Sequence, residues 1–193
     1  MNKKFIVLEG LDGSGKTSVG EALVKNHSYE FVKTPSAEYD YLSSYIAKQS
    51  HYVRLMYYYA GNFNMSDYIS QLSNNVICNR YIYSTMACFS YFNNIPINET
   101  YEMMKLLNEN IILPDLVIYL SVPKNILLER LKSRGTTVSY MDNYLLHNPD
   151  TVIEDTFLSL CEIMSKQIKY AVVDSSESID KTCEKILNII SDI

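Results

Sequence analysis

The amino-acid sequence predicts an α/β fold of three layers, a mostly parallel five-stranded sheet with helices on both of its faces. Three observations predict it. Short apolar runs of strand length alternate with segments of helical periodicity along the whole 193-residue chain. The first run, Phe5-Ile6-Val7-Leu8, is continuously apolar, as expected of a strand buried on both faces of a parallel sheet. It breaks into Gly10-Leu11-Asp12-Gly13-Ser14-Gly15-Lys16-Thr17, which has the GxxxxGK[ST] spacing of a phosphate-binding loop between a strand and a helix.

Each residue type in that loop has a chemical reason. Gly10, Gly13 and Gly15 let the backbone curve into a nest whose N–H groups, with Ser14 and the helix start at Lys16 to Ser18, face phosphate oxygens. The Lys16 ammonium is expected on the β and γ phosphates, and the Thr17 hydroxyl on a magnesium ion. A Gly-Ser-Gly turn that merely ends a strand is the plainer reading, but it does not require the Lys-Thr pair.

The remaining elements follow in order. Val19, Ala22 and Leu23 have helical spacing and pack the first helix on the sheet, which ends at Asn26-His27-Ser28. Tyr29 to Lys33 reads as the second strand, stopped by Thr34-Pro35-Ser36 at the edge where open α/β sheets bind ligands. Glu38 to Tyr59 reads as a long, bent helix; Ala60-Gly61-Asn62 and a Ser66 cap then lead to a second helix near Asp67 to Ser73. Val76 to Cys78 is a short strand with Asn79-Arg80-Tyr81 at its carboxyl end. Arg80 there is either a surface ion pair or a fork that grips a phosphate through two nitrogens.

Two helices, Ser84 to Phe92 and Asn98 to Asn110, are divided by Ile95-Pro96. Leu116 to Leu120 is the fourth strand, and Pro123 opens a helix through Arg134 with Gly135 just past its end. Arg130 and Arg134 share a helix face, where solvation is the common fate of such a pair. Residues 135–150 are polar and poorly periodic, a lid-length segment with His147 exposed in it. Thr151 to Ile168 is helical, Tyr170 to Val173 is the fifth strand and Ile179 to Ile190 a terminal helix. Without an internal repeat or linker, residues 1–193 read as one domain.

A net charge of −5 gives no footing for nucleic acid, although a local basic pocket is compatible with it. Cys78, Cys88, Cys161 and Cys183 lie far apart and read as reduced thiols of a cytoplasmic protein. No apolar run nears the roughly 18 residues of a membrane span, and the N-terminus enters the first strand directly, so neither membrane nor leader is expected. Seventeen tyrosines and no tryptophan are unusual, and nothing in the sequence accounts for them.

Several segments in this order resemble the thymidylate kinase family of P-loop nucleoside monophosphate kinases. Phe5 to Ser18, with Glu9 and Asp12, is close to that family's opening segment. Asn79-Arg80-Tyr81 with Ser84 and Ala87 resembles its Asp-Arg-Tyr motif and helix start. Leu113 to Leu120 resembles the approach to its fourth strand, and Leu128 to Gly135 the helix that enters its lid. Val173-Asp174 and Ser176 to Asp180 are similar to the loop that passes the adenine.

The resemblance implies phosphoryl transfer from ATP, with Mg2+, to the phosphate of a nucleoside monophosphate, on a P-loop kinase fold. It gives Arg80 and Asp12 to the acceptor, Tyr58 to the acceptor base, Asn62 to the base edge, Ser84 to the substrate side, Asn79 with Thr17 to the metal, and Arg134 to donor charge or adenine. Family members commonly form homodimers through helices flanking the sheet. Departures fall on the acceptor side: Asn79 stands where the family has aspartate, Asn62 where an arginine reads thymine, and Cys88-Phe89 where tyrosine and glutamine are usual. The loop at Thr34 to Ala37 lacks the family's arginine or Pro-Gly-Gly pattern, and the lid has few cations beyond Arg134. The expected reaction is therefore phosphorylation of dTMP to dTDP or of a related deoxynucleotide, since the departures leave room for an acceptor other than thymidylate. A nucleoside kinase using Glu9 or Asp12 as base, and an eroded nucleotide-binding relative, are the alternatives.

Overall fold

The computed structural model describes residues 3–25, 28–135, 140–148 and 152–192. His27 and residues 136–139, 149–151 and 193 lie outside them, including part of the expected lid. Five strands, β1 (Phe5–Glu9), β2 (Tyr29–Lys33), β3 (Asn75–Asn79), β4 (Leu116–Ser121) and β5 (Lys169–Asp174), form one sheet in the order β2-β3-β1-β4-β5. Every pairing is parallel, with Leu8 opposite both Asn79 and Ile118.

Period-two alternation along β1 builds the two cores. Phe5 and Val7 join one, under helices α4 (His51–Gln71), α5 (Ile82–Asn93), α6 (Ile97–Asn108) and α9 (Ile153–Met164). Ile6 and Leu8 join the other, under α1 (Lys16–Lys25) and α10 (Ile179–Ser191). Gly20 lets α1 lie close to the sheet, since a Cβ there would stand 2.1 Å from the Phe31 ring. A third cluster joins Tyr119 and Phe157 to α7 (Lys124–Ser133) and α8 (Tyr140–His147) through Leu127, Leu131 and Leu145.

The helical reading of residues 38–73 needs correction. Two single-turn helices, α2 (Ala37–Asp40) and α3 (Ser43–Ile46), precede α4, which then runs unbroken through Ala60-Gly61-Asn62. Gly61 serves close packing instead of a break: an added Cβ would come 3.2 Å from the Cβ of Pro35. Ser66 is no cap; it is buried mid-helix and its Oγ accepts the Ile112 N–H at 2.8 Å. Ser50 caps α4, its Oγ accepting from Val53 N at 3.4 Å. Within the expected aperiodic lid, residues 140–147 are helical and bury Asp142 and Leu145.

α1 leaves β1 toward one face and α5 leaves β3 toward the other. Neighbouring parallel strands whose connections diverge in this way open a crevice at their carboxyl ends. That crevice lies between the Gly-rich loop and Asn79-Arg80.

Candidate active site

The loop after β1 is held from several sides. Gly10 has φ +141°, and a Cβ there would lie 2.7 Å from the Leu120 carbonyl oxygen. Ser14 N donates to Leu11 O at 3.1 Å, and Ser175 Oγ donates to Ser14 O at 2.8 Å. Lys16 is buried and turns back into the loop, Nζ donating to Gly10 O (2.9 Å), Leu11 O (2.7 Å) and Ser14 Oγ (3.3 Å). Burial, with Arg80 second, pulls its ammonium down to about 7, against the opposing pull of Asp12 and Glu9.

At the end of β3, Asn79 Nδ2 donates to Thr17 Oγ1 at 3.0 Å, while the buried Asn79 Oδ1 has no protein partner. Arg80 follows in a left-handed conformation, φ 68°, with its N–H on Leu8 O at 3.0 Å. Its guanidinium divides between Ser84 Oγ (2.7 Å) and Asp12 Oδ1 (2.5 Å). Arg80 is ion-paired, and the pair stands in the crevice wall and not on the outer surface.

Glu9 organises this corner from beneath. Its fully buried carboxylate accepts the Tyr81 N–H (2.9 Å) and Ser84 N–H (3.2 Å) at Oε1, and the Ser84 hydroxyl at Oε2. Tyr81, the residue before α5, makes no side-chain cap of its own, so a strand residue caps this helix. Burial raises the Glu9 carboxyl above its ordinary value, although Arg80 and the three donors oppose the shift.

These groups border a cavity of about 450 Å³. Asp12, Gly13, Gly15, Lys16, Thr17 and Ser18 reach it from the loop and α1, whereas Gly10 and Ser14 support the loop from behind. Asn79, Arg80 and Ser84 reach it from β3 and α5, and Tyr58 and Asn62 from α4. His51, Leu55, Tyr58 and Asn62 repeat at helical spacing along the cavity face of α4. Arg134 stands at the rim, 3.4 Å from Asp142, and is half-exposed.

Sequence reasoning missed four contributors. Lys33 ends β2 at the ligand edge, a position the strand boundary could have revealed. Arg54 sits one helical turn before Tyr58, with its guanidinium 5.0 Å from the Tyr140 ring centre and 5.8 Å from that of Phe92. Thr85 faces the cavity beside Asn62. Arg130, expected to be solvated, instead braces the loop: NH1 donates to Gly13 O (3.4 Å) and NH2 to Ser175 O (2.9 Å) and Ser176 O (3.4 Å). Arg130 stands behind the loop, outside the cavity wall; the wall itself holds five cations, Lys16, Lys33, Arg54, Arg80 and Arg134, against the carboxylates of Asp12 and Asp142, in a chain of net charge −5.

The family model described as thymidylate kinase matches residues 8–186, from the phosphate loop to the terminal helix. The chain belongs to the thymidylate kinase family. It is thus a member of a family of nucleoside monophosphate kinases, phosphotransferases of nucleotide metabolism. A thymidylate kinase of Ligilactobacillus salivarius is 26% identical over 211 aligned positions, covering 99% of both chains. A probable thymidylate kinase of Picrophilus torridus is 30% identical over 138, covering 67% of each. Among solved structures, a thymidylate kinase from Candida albicans superposes with a TM-score of 0.77 at 22% identity, over 98% of this chain and 92% of that one. A deoxyadenosine kinase from M. mycoides with bound dATP gives 0.74 at 21% identity, over 97% and 99%. Both share the fold.

Proposed function

We propose that this thymidylate kinase family member transfers the γ-phosphoryl group of ATP to the phosphate of a nucleoside 5′-monophosphate. The concentration of five cations around one cavity carries the reading, because two polyanionic substrates must approach each other there. Gly13, Ser14, Gly15, Lys16, Thr17 and Ser18 hold the donor phosphates, with Gly10 shaping the turn. Arg80 grips the acceptor phosphate, and its pairing with Asp12 fixes the fork in advance. Ser84 orients the other side of that fork. Tyr58 borders the acceptor base, and Arg134 neutralises donor charge from the lid side.

Thr17 Oγ1 and the unpartnered Asn79 Oδ1 are oxygen donors suited to Mg2+ or its bound water. When bound, Mg2+ neutralises charge on the transferring phosphoryl group. The chain's own residues position the two phosphates in line and exclude water around them.

The geometry disfavours a nucleoside kinase, which needs a carboxylate to deprotonate a sugar hydroxyl. Asp12 is engaged by Arg80, Asp142 by Arg134, and Glu9 by the start of α5. An intact Lys16 and Thr17 likewise weigh against an eroded relative. Exposed apolar side chains on α2 to α4 and their connections, including Tyr41, Tyr45, Tyr52 and Met56, support pairing into a homodimer. We assign the protein to the cytoplasm, with no role for nucleic acid or membrane; no described helix is long and apolar enough to cross a bilayer. The test is 31P NMR of the products formed from MgATP and a monophosphate. A nucleoside diphosphate that Lys16→Ala abolishes supports the reading, and ADP with inorganic phosphate alone refutes it.

A further inference from the structure

The end of the cavity away from Arg80 is bordered by an aromatic cluster that the phosphate chemistry does not use. α4 and α5 pass each other in opposite directions: Asn62 meets Thr85 beside Ser84, and Tyr52 meets Phe89 further out. Phe92 lies about 12 Å beyond Ser84 at the helical rise, and rings gather on it from α4, α5 and α8. His51 stands edge-on to it at 6.1 Å between centroids, Tyr140 at 6.0 Å, Tyr144 at 4.9 Å and Tyr91 at 5.4 Å. The Tyr91 and Tyr144 hydroxyls share a hydrogen bond at 3.0 Å. Arg54 completes the group, its guanidinium 5.8 Å from the Phe92 ring centre and 5.0 Å from that of Tyr140, both within cation–π range. Among the described residues it has no carboxylate partner.

We propose that Arg54 is a positioning residue: held between Phe92 and Tyr140, it clasps α8 to α4 and α5 across the cavity and so keeps water from the transfer. The inference rests on the monophosphate kinase reading, in which Arg80 holds the acceptor phosphate. From Arg80 and Ser84 the cavity continues past Cys88 to Phe92, Arg54 and Tyr140, so an acceptor held by its phosphate has that stretch to fill. Tyr140, Met141 and Asp142, the first turn of α8, form part of the wall there. The Arg134–Asp142 pair ties α8 only to the end of α7, from which it follows in the chain. Arg54 reaches it from α4. A lid with few cations beyond Arg134 is thus held by rings around a cation on the opposite wall, and Tyr91, Tyr140 and Tyr144 gain a task within the tyrosine excess. Water admitted by an unclasped α8 takes the phosphoryl group itself, giving ADP and inorganic phosphate.

Two measurements test it on Arg54→Met, Tyr140→Leu, their double variant and Tyr140→Phe. Hydrogen exchange of the α8 amides, which needs no turnover, should quicken about fivefold in Arg54→Met and in Tyr140→Leu, as loss of a partly buried cation–π contact implies. Tyr140→Phe keeps the ring and should exchange like the natural protein. With MgATP and a monophosphate that is turned over, Arg54→Met and Tyr140→Leu should each raise the acceptor KM and the share of ATP lost as inorganic phosphate severalfold. The double variant should add little to either, since both single changes break one contact. Exchange unmoved by Arg54→Met, effects that add in the double variant, or a Tyr140→Phe that behaves like Tyr140→Leu overturns the clasp and leaves the kinase reading standing. Faster exchange with an unmoved product ratio overturns its part in the transfer. Absence of turnover on every monophosphate overturns the kinase reading and the role given to the clasp within it, while α8 exchange still judges the clasp itself.

Discussion

Glu9 and Ser84, 75 residues apart, join the carboxyl end of the first strand to the first turn of α5 through a carboxylate that accepts both the hydroxyl and the backbone N–H of Ser84. The residue that ends β1 thus fixes the segment that carries Arg80.

Removing this cap should be costly. Glu9→Ala leaves the Tyr81 and Ser84 N–H groups buried without acceptors, at about 2 kcal/mol, or roughly 4–8 °C in Tm for a chain of this size. The sign with pH is also defined. Burial raises the folded-state pKa of Glu9 above the unfolded value, so its contribution is fully present below about pH 4.5 and declines as pH rises through the folded pKa. Thermal unfolding from pH 4.5 upward should show this decline in the natural protein and a flatter curve in Glu9→Gln.

Lys16 gives ATP binding a proton dependence. In the free protein its ammonium is pulled down to about 7, mainly by burial. Phosphate oxygens favour the charged form, so binding takes up a proton above neutrality and weakens as pH rises from 7 to 9, by at most about tenfold per pH unit. Calorimetry in buffers of different ionisation enthalpy measures the uptake directly. Binding that is independent of pH and buffer would contradict it.

Asn79 offers a neutral carbonyl oxygen where a charged one would hold a divalent cation better. Asn79→Asp should lower the Mg2+ concentration for half-maximal rate by about fivefold or more, corresponding to about 1 kcal/mol of added charge–charge attraction. A magnesium titration at fixed ATP reads this.

The elements that position the site were legible because their signals are local. Phe5 to Leu8 could hardly be anything but a buried strand, and Gly10 to Thr17 set both its end and the start of α1. Arg80 was legible from its place at the end of β3. What escaped depends on contacts distant in sequence. Gly61 reads as a break, yet it lies inside α4 because Pro35 packs on it. Arg130 reads as solvated, yet carbonyls of Gly13 and Ser175, 117 and 45 residues away, hold it. α8 is too short, at eight residues, for a clear period, and its buried face includes Asp142, which Arg134 satisfies. Glu9 resembles a strand terminus until the start of α5 folds over it.

The account turns on Arg80 as the grip on an acceptor phosphate. The most direct measurement is ADP release from MgATP with a panel of nucleoside monophosphates and their free nucleosides, for the natural protein and Arg80→Ala. Turnover should occur on a monophosphate and not on the matching nucleoside. Arg80→Ala should lower the acceptor kcat/KM about a hundredfold to a thousandfold, with little change in the KM for MgATP. Turnover of the free nucleoside, undiminished by Arg80→Ala, would contradict the account.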